Sequence, residues 1–268
     1  MGFEKLPRPP FQKRSSIIAE QIVKRIRSNQ YPAGAKLPPE RLIAEQMGVS
    51  RPSVREAISA LQIVGILQSR PGDGTYVADS FGSDDLVRQA FEVLEESESP
   101  LVILQARKAM EIGVARVAIT VATDEDIANI ERAWRERYEQ GKRGDYTAFL
   151  KYGKTFHISI AQATNNHVIV AIMENLLNAT RQPLWTHMRR TYYEGRPERI
   201  EMMLQVHHNI VEAVRRRDTD GAIAALEEHF DILVNQIYTT SHESGAPSED
   251  ERSEGEQTLS AGEERLTK

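Results

Sequence analysis

Residues 36–77 read KLPPERLIAEQMGVSRPSVREAISALQIVGILQSRPGDGTYV, and this run restricts the fold more tightly than any other part of the chain. PPER opens a helix, with proline tolerated at its start and Glu40 near the positive helix end. MGVSR closes it. Gly48 supplies a left-handed closing conformation, Val49 is apolar enough to lock the turn, and Ser50 caps a second helix with Pro52 in its first turn. That second helix carries Val54, Ala57, Ile58 and Leu61 on one face and gathers Arg51, Ser53 and Arg55 at its N-terminal end. Residues 66–70 and 75–77 can then pair as short strands across PGDG, whose glycines allow a tight turn and close approach to a phosphate backbone. Helix, turn, helix and glycine-tipped hairpin together predict a winged helix-turn-helix, in which the N-terminal end of the second helix enters the DNA major groove.

Charge divides the chain in the same place. Residues 1–80 hold 12 Lys+Arg against 7 Asp+Glu, net +5, and the remainder holds 22 against 32, net −10. A basic reader on an acidic body suits local DNA contact by a protein whose body should not adhere to phosphates. The chain has no cysteine, which excludes disulfides, thiolate metal sites and a cysteine nucleophile. MGFEKLPRPP lacks the apolar core of a signal peptide and no later run approaches membrane-spanning length, so a cytoplasmic protein is expected. Residues 241–268 are polar and acidic with almost no large apolar side chains, and are expected to be disordered.

Between the hairpin and that tail the pattern is helical almost throughout, with segments near 84–97, 100–121, 124–140, 145–164, 166–192, 196–216 and 219–240. The expected architecture is therefore mainly α: a winged helix-turn-helix over 12–80 and an all-α bundle of about seven helices over 84–240. Three histidines fall on apolar stripes, where an unpaired imidazole is costly. His157 lies with Phe156, Ile160 and Ala161, His207 with Met203, Ile210 and Val211, and His229 between Leu226 and Leu233. One such histidine is usually a satisfied core residue. Three on different helices can converge on one metal or anion, because neutral imidazoles suit zinc, nickel and similar ions. His208 points elsewhere on its helix, and His167, His187 and His242 read as surface or turn residues.

The run LPPER, AEQMGVSRPSVREAI and RPGDGTYV, within residues 12–78, closely resembles the N-terminal domain of the GntR family of bacterial transcription regulators. The resemblance implies that Arg41, Ser50, Arg51, Ser53 and Arg55 contact DNA and that Gly72, at the wing tip, approaches the minor groove. Pro71 stands where some relatives carry a polar or basic side chain. The body resembles the FCD ligand-binding domain of the FadR subfamily through ARKAMEIGVARVAITVATDEDI, TFHISIAQATNN and HHNIVEAVRRRDTDGAIAALEEHF. Many members of that subfamily hold a divalent metal through three histidines and an aspartate four residues before the first of them. The histidines match at His157, His207 and His229, while Gly153 occupies the place of the aspartate.

Two readings of that pocket stand open: a divalent metal, zinc or nickel-like, on three imidazoles, or an organic anion held by histidines and arginine without metal. The resemblance also implies that Arg107, in the R-x-x-M-E pattern ending at Glu111, meets an effector carboxylate; the alternative is an ion pair with Glu111 at four-residue spacing. The expected function is that of a metabolite-responsive regulator and not an enzyme. It is expected to act as a repressor that binds a palindromic operator as a homodimer, with a small organic or sugar acid as effector. The competing expectation is a metal-dependent hydrolase on the three histidines, and the sequence has no HExxH or G-x-S-x-G to support it.

Overall fold

A computed structural model describes residues 13–70, 72–79 and 83–239, so Pro71, His242 and the acidic tail lie outside the described residues. The reader begins with α1 (Arg14–Arg27), whose Ile18, Ile22 and Ile26 recur every fourth residue and are all buried. Then follow α2 (Glu40–Met47) and α3 (Arg51–Ile63). Gly48 closes α2 in the left-handed conformation at φ 64°, and Ser50 caps α3 by accepting from the Ser53 amide. Strands β1 (Leu67–Arg70) and β2 (Gly74–Val77) pair antiparallel from Leu67 opposite Val77 to Arg70 opposite Gly74, forming the expected wing. The backbone of Leu37 adds a hydrogen bond of 2.8 Å to Thr75, which ties the wing to the start of the helix-turn-helix.

Helix α4 (Asp84–Glu96), capped by Ser83 with Asp84 and Asp85 in its first turn, stands at the start of the segment assigned by sequence to the bundle. Its buried residues Ala90 and Leu94 nevertheless join the reader's apolar core with Ile22, Ile58 and Leu61. Lys13 fixes the other end of α4 by donating to the carbonyls of Leu94, Glu95 and Ser97 at 3.0, 2.7 and 3.0 Å.

The second core is built by α5 (Pro100–Val121), α6 (Asp124–Arg143), α7 (Tyr146–Gln162), α8 (His167–Asn178), α9 (Pro183–Tyr193), α10 (Pro197–Arg215) and α11 (Thr219–Thr239). Local chemistry sets these boundaries: a Thr123–Asp126 capping box opens α6, Gly144 at φ 72° ends it, and Asp145 and Asn166 cap α7 and α8. The single helix expected over 166–192 is in fact two. Pro183 cannot continue a helix, Gln182 before it is extended, and a one-turn 3-10 segment (Ala179–Arg181) bridges the break. No helix among the described residues is long and apolar enough to cross a membrane.

Candidate functional site

Two sites predicted from sequence can be located, one at the reader's outer end and one inside the bundle. At the first, Ser50 is exposed and its hydroxyl lies 2.9 Å from that of Ser53, beside the half-buried Arg51 at the positive end of α3. Arg41 is exposed and, among the described residues, pairs along its own helix with Glu45 at 2.5 Å, an arrangement that costs little to break. Gly72 takes φ +74°, and a Cβ placed on it would meet nothing within 4 Å, so the wing tip is open to close approach.

Arg55 departs from the expectation of a DNA-facing side chain. It is buried, and its Nε and terminal nitrogen donate to Glu40 Oε2 at 2.9 and 2.6 Å, so the guanidinium brackets α3 against the first turn of α2. The sequence reading also passed over the wing's own cations. Lys36 reaches Asp73 at 2.8 Å, the Tyr76 hydroxyl donates to Asp73 at 2.6 Å, and the Arg70 guanidinium stands 3.9 Å from the centre of the Tyr76 ring.

Inside the bundle, His157 from α7, His207 from α10 and His229 from α11 do meet. All three are buried, and one ring nitrogen from each lies within 4.8 Å of the others. Burial, reinforced for His207 by Arg137 and for His229 by His157 and Arg107, holds both well below the ordinary histidine pKa of 6.5. Burial also lowers His157, against the opposing pull of Glu111. The alternative kept open for Arg107 is realised: its Nε donates to Glu111 Oε1 at 2.8 Å, and His157 Nδ1 lies 2.7 Å from the other carboxylate oxygen. Although burial opposes its ionisation, the charges of Arg107 and His157 prevail and hold the Glu111 pKa down at about 2. Arg107 still lines the cavity beside the histidines.

A residue absent from the sequence reading, Arg137 of α6, completes the cluster. It is 2 % exposed, its terminal nitrogen lies 2.6 Å from His207 Nε2, and its guanidinium stacks 4.4 Å from the Phe149 ring centre. His207 Nδ1 is 2.7 Å from the Met203 carbonyl, so the proton sits on Nδ1 and Nε2 is the acceptor that takes the Arg137 hydrogen. Gly153 makes the room: a Cβ there would stand 3.0 Å from both Cζ and the same terminal nitrogen of Arg137. The three imidazoles have the spacing of a metal site, but with Arg137 donating into His207 Nε2 this donor set does not suit a cation.

The cavity beside these groups is small, about 30 Å³, and is bounded by Arg107, Arg137, His157, His229, Arg189 and Tyr193 among others. A much larger cleft of about 750 Å³ opens between reader and bundle, and Arg189 and Leu233 line both spaces. The wall between the two therefore belongs to α9 and α11, and both helices pack on α3. Side chains join reader and bundle directly: Ser99 donates to Glu56 of α3 at 2.6 Å, and His187 Nε2 lies 3.2 Å from Gln62 Oε1. His187, read from sequence as a surface or turn residue, is thus half-buried at the joint.

Two family models match the chain, that of bacterial regulatory proteins, gntR family, over residues 14–77 and that of the FCD domain over residues 102–232. The chain is similar to the Uxu operon transcriptional regulator of Escherichia coli (strain K12), 30% identical over 233 residues that cover 85% of this chain and 86% of that protein. It is similar to the Exu regulon transcriptional regulator of the same organism, 30% identical over 217 residues, 80% of each chain. A third relative, the putative L-lactate dehydrogenase operon regulatory protein of that strain, is 27% identical over 226 residues, covering 83% of this chain and 85% of that one.

Proposed function

The chain belongs to the GntR family of bacterial regulatory proteins and carries an FCD domain behind its reader, and from that premise we propose a metabolite-responsive repressor of an operon. The observation that carries this reading is the double engagement of α3. Its N-terminal end carries the exposed Ser50 and the half-buried Arg51 and Ser53, and its body packs on α9, whose Arg189 and Tyr193 line the histidine cavity. A small organic or sugar acid entering that cavity meets cations in Arg107, Arg137, Lys154 and Arg189, and no carboxylate is among the lining residues described. Because α9 packs directly on α3, a ligand that moves α9 acts on the recognition helix without any intervening element, the route a ligand-driven shift requires.

Operator binding takes two copies in this reading, because one winged helix offers few base-reading side chains and a two-fold pair doubles them. Exposed Val117 and Val121 on α5 and Val168 and Ile172 on the adjoining α8, each pair four residues apart, give a second copy an apolar surface to cover. The hydrolase alternative finds no support in the relatives, all three of which are named as regulators. The test is fluorescence anisotropy with duplex from upstream of the chain's own gene, against random duplex, with and without organic acids. Specific binding that one acid weakens is the expected result; equal affinity for both duplexes, or a monomer on the DNA, contradicts it.

A further inference from the structure

Resting on the reading of the histidine cavity as the effector site, we propose that a buried guanidinium takes the place of a metal ion there, so that Arg137 and Arg189 together bind a small dianionic organic acid without metal. Four observations lead to it. His207 has a single acceptor nitrogen, and that lone pair already receives the Arg137 hydrogen at 2.6 Å; one lone pair cannot do this and bind a cation at once. Gly153 and Arg137 form one device, since any side chain at 153 would press on the guanidinium from 3.0 Å. A glycine inside a helix is unfavourable relative to alanine, and here the space it leaves is filled by a charge.

The other two observations concern what is missing around the charges. Among the described residues, Arg107 has Glu111 as its counter-ion, but neither Arg137 nor Arg189 has a carboxylate in ion-pair range. The buried guanidinium of Arg137 and the half-buried one of Arg189 thus stand without a carboxylate, a costly state for Arg137 above all, and one that an occupant with two negative charges relieves. Unmet hydrogen-bonding groups point the same way. Among the described residues, the Nε of Arg137 and the Nε of Arg189 are buried with no partner and can only donate, and the neutral His229, with neither ring nitrogen partnered, adds one N–H to them. Acceptor oxygens bearing negative charge answer that demand, and a metal ion, which is a third positive charge seeking lone pairs, does not.

The size of the cavity limits the fit. About 30 Å³ holds one carboxylate-sized group beside Arg137, and Arg189, which also faces the interdomain cleft, is placed to take a second. A short dicarboxylate matches this pair; a monocarboxylate leaves one guanidinium unanswered.

The experiment uses the full chain purified without a histidine tag. Metal content is measured first, then melting temperature with malonate, succinate, acetate or lactate, each with and without chelator. The expected result is no coordinated metal, no response to zinc or nickel, and a shift by the dianions several degrees larger than by the monoanions and unchanged by chelator. Gly153→Asp should abolish that shift while the protein remains folded, because its Cβ obliges the Arg137 guanidinium to give way from 3.0 Å and its carboxylate then pairs with that guanidinium in place of the occupant. The double substitution Gly153→Asp with Arg137→Leu should acquire zinc or nickel. Stoichiometric metal in the parent whose removal lowers the melting temperature would overturn the proposal. So would dianions no better than monoanions, or a dianion shift that persists in Gly153→Asp. Operator anisotropy with the same acids separates the two readings: a dianion that stabilises the protein but leaves operator binding unchanged refutes the effector role and leaves the anion site standing.

Discussion

Arg55 in the reader and Arg137 in the bundle are both nearly withdrawn from water, at 6 % and 2 % exposure, yet their surroundings differ in one respect. Arg55 has a carboxylate of its own chain against it, Glu40 at 2.6 Å, whereas Arg137 has an imidazole, an aromatic face and an Nε without a partner. A charge compensated within the chain holds two helices in register and is complete when the chain is folded. A charge left uncompensated is held by the rest of the fold at some cost, and becomes favourable only when something arrives to answer it. The first arrangement is structural; the second marks a binding site.

The most forceful way to break this contrast is to remove Glu40. Glu40→Ala should destabilise the reader by about 3 kcal/mol, because the buried Arg55 then loses the Glu40 carboxylate in a place with no ligand to replace it. Chemical denaturation reads this directly, and a loss below about 1 kcal/mol would mean that Arg55 escapes to solvent and that the pair is ordinary surface chemistry.

Next in size is Arg51→Ala, which should weaken operator binding by roughly 1–3 kcal/mol per half-site while leaving the melting temperature unchanged. Equal losses on operator and random duplex would reduce Arg51 to a phosphate contact. Arg55→Ala should instead lower stability and DNA affinity together, which separates a bracket from a reader.

Acid provides a third test. Burial holds the pKa values of His157, His207 and His229 down in the folded chain, whereas all three titrate near 6.5 when unfolded. Below 6.5 the unfolded chain therefore binds more protons than the folded one, and stability falls with pH through that window. His207→Gln should flatten the slope of melting temperature between pH 6.5 and 5. An unchanged slope would show that the cluster is protonated when folded. Glu111 acts in the same sense but lower: its stabilisation is complete above 4.5 and is lost only as pH approaches about 2.

Ile172→Glu has the smallest expected effect on the folded monomer, since the side chain is 44 % exposed. It should weaken self-association in light scattering without changing the fold. A dimer that persists places the interface elsewhere.

How far the sequence revealed these features followed from how local their causes are. Gly48, Ser50 and the PGDG turn act on their immediate neighbours, so the helix-turn-helix and the wing could be read directly. His157, His207 and His229 were legible as polar residues on apolar faces, and their convergence is what the packing of α7, α10 and α11 produces. Pairings at longer range were hidden. Nothing in the sequence joins Arg55 to Glu40 fifteen residues earlier, or assigns α4 to the reader's core. Arg137 left a trace that was missed, because it continues the buried face of Ile130 and Ala133, where a charged residue breaks the pattern. Gly153 read as a lost ligand; only the distance to Arg137 shows that it is a space already filled.

Whether the unanswered charge in the bundle governs the reader is best decided by operator anisotropy, titrating malonate or succinate into the parent and into Gly153→Asp in the presence of chelator. The account predicts that the dianion lowers operator affinity by about tenfold in the parent, a coupling of about 1.4 kcal/mol, and has no effect on Gly153→Asp. Equal release from both proteins, or release that requires added metal, would contradict it.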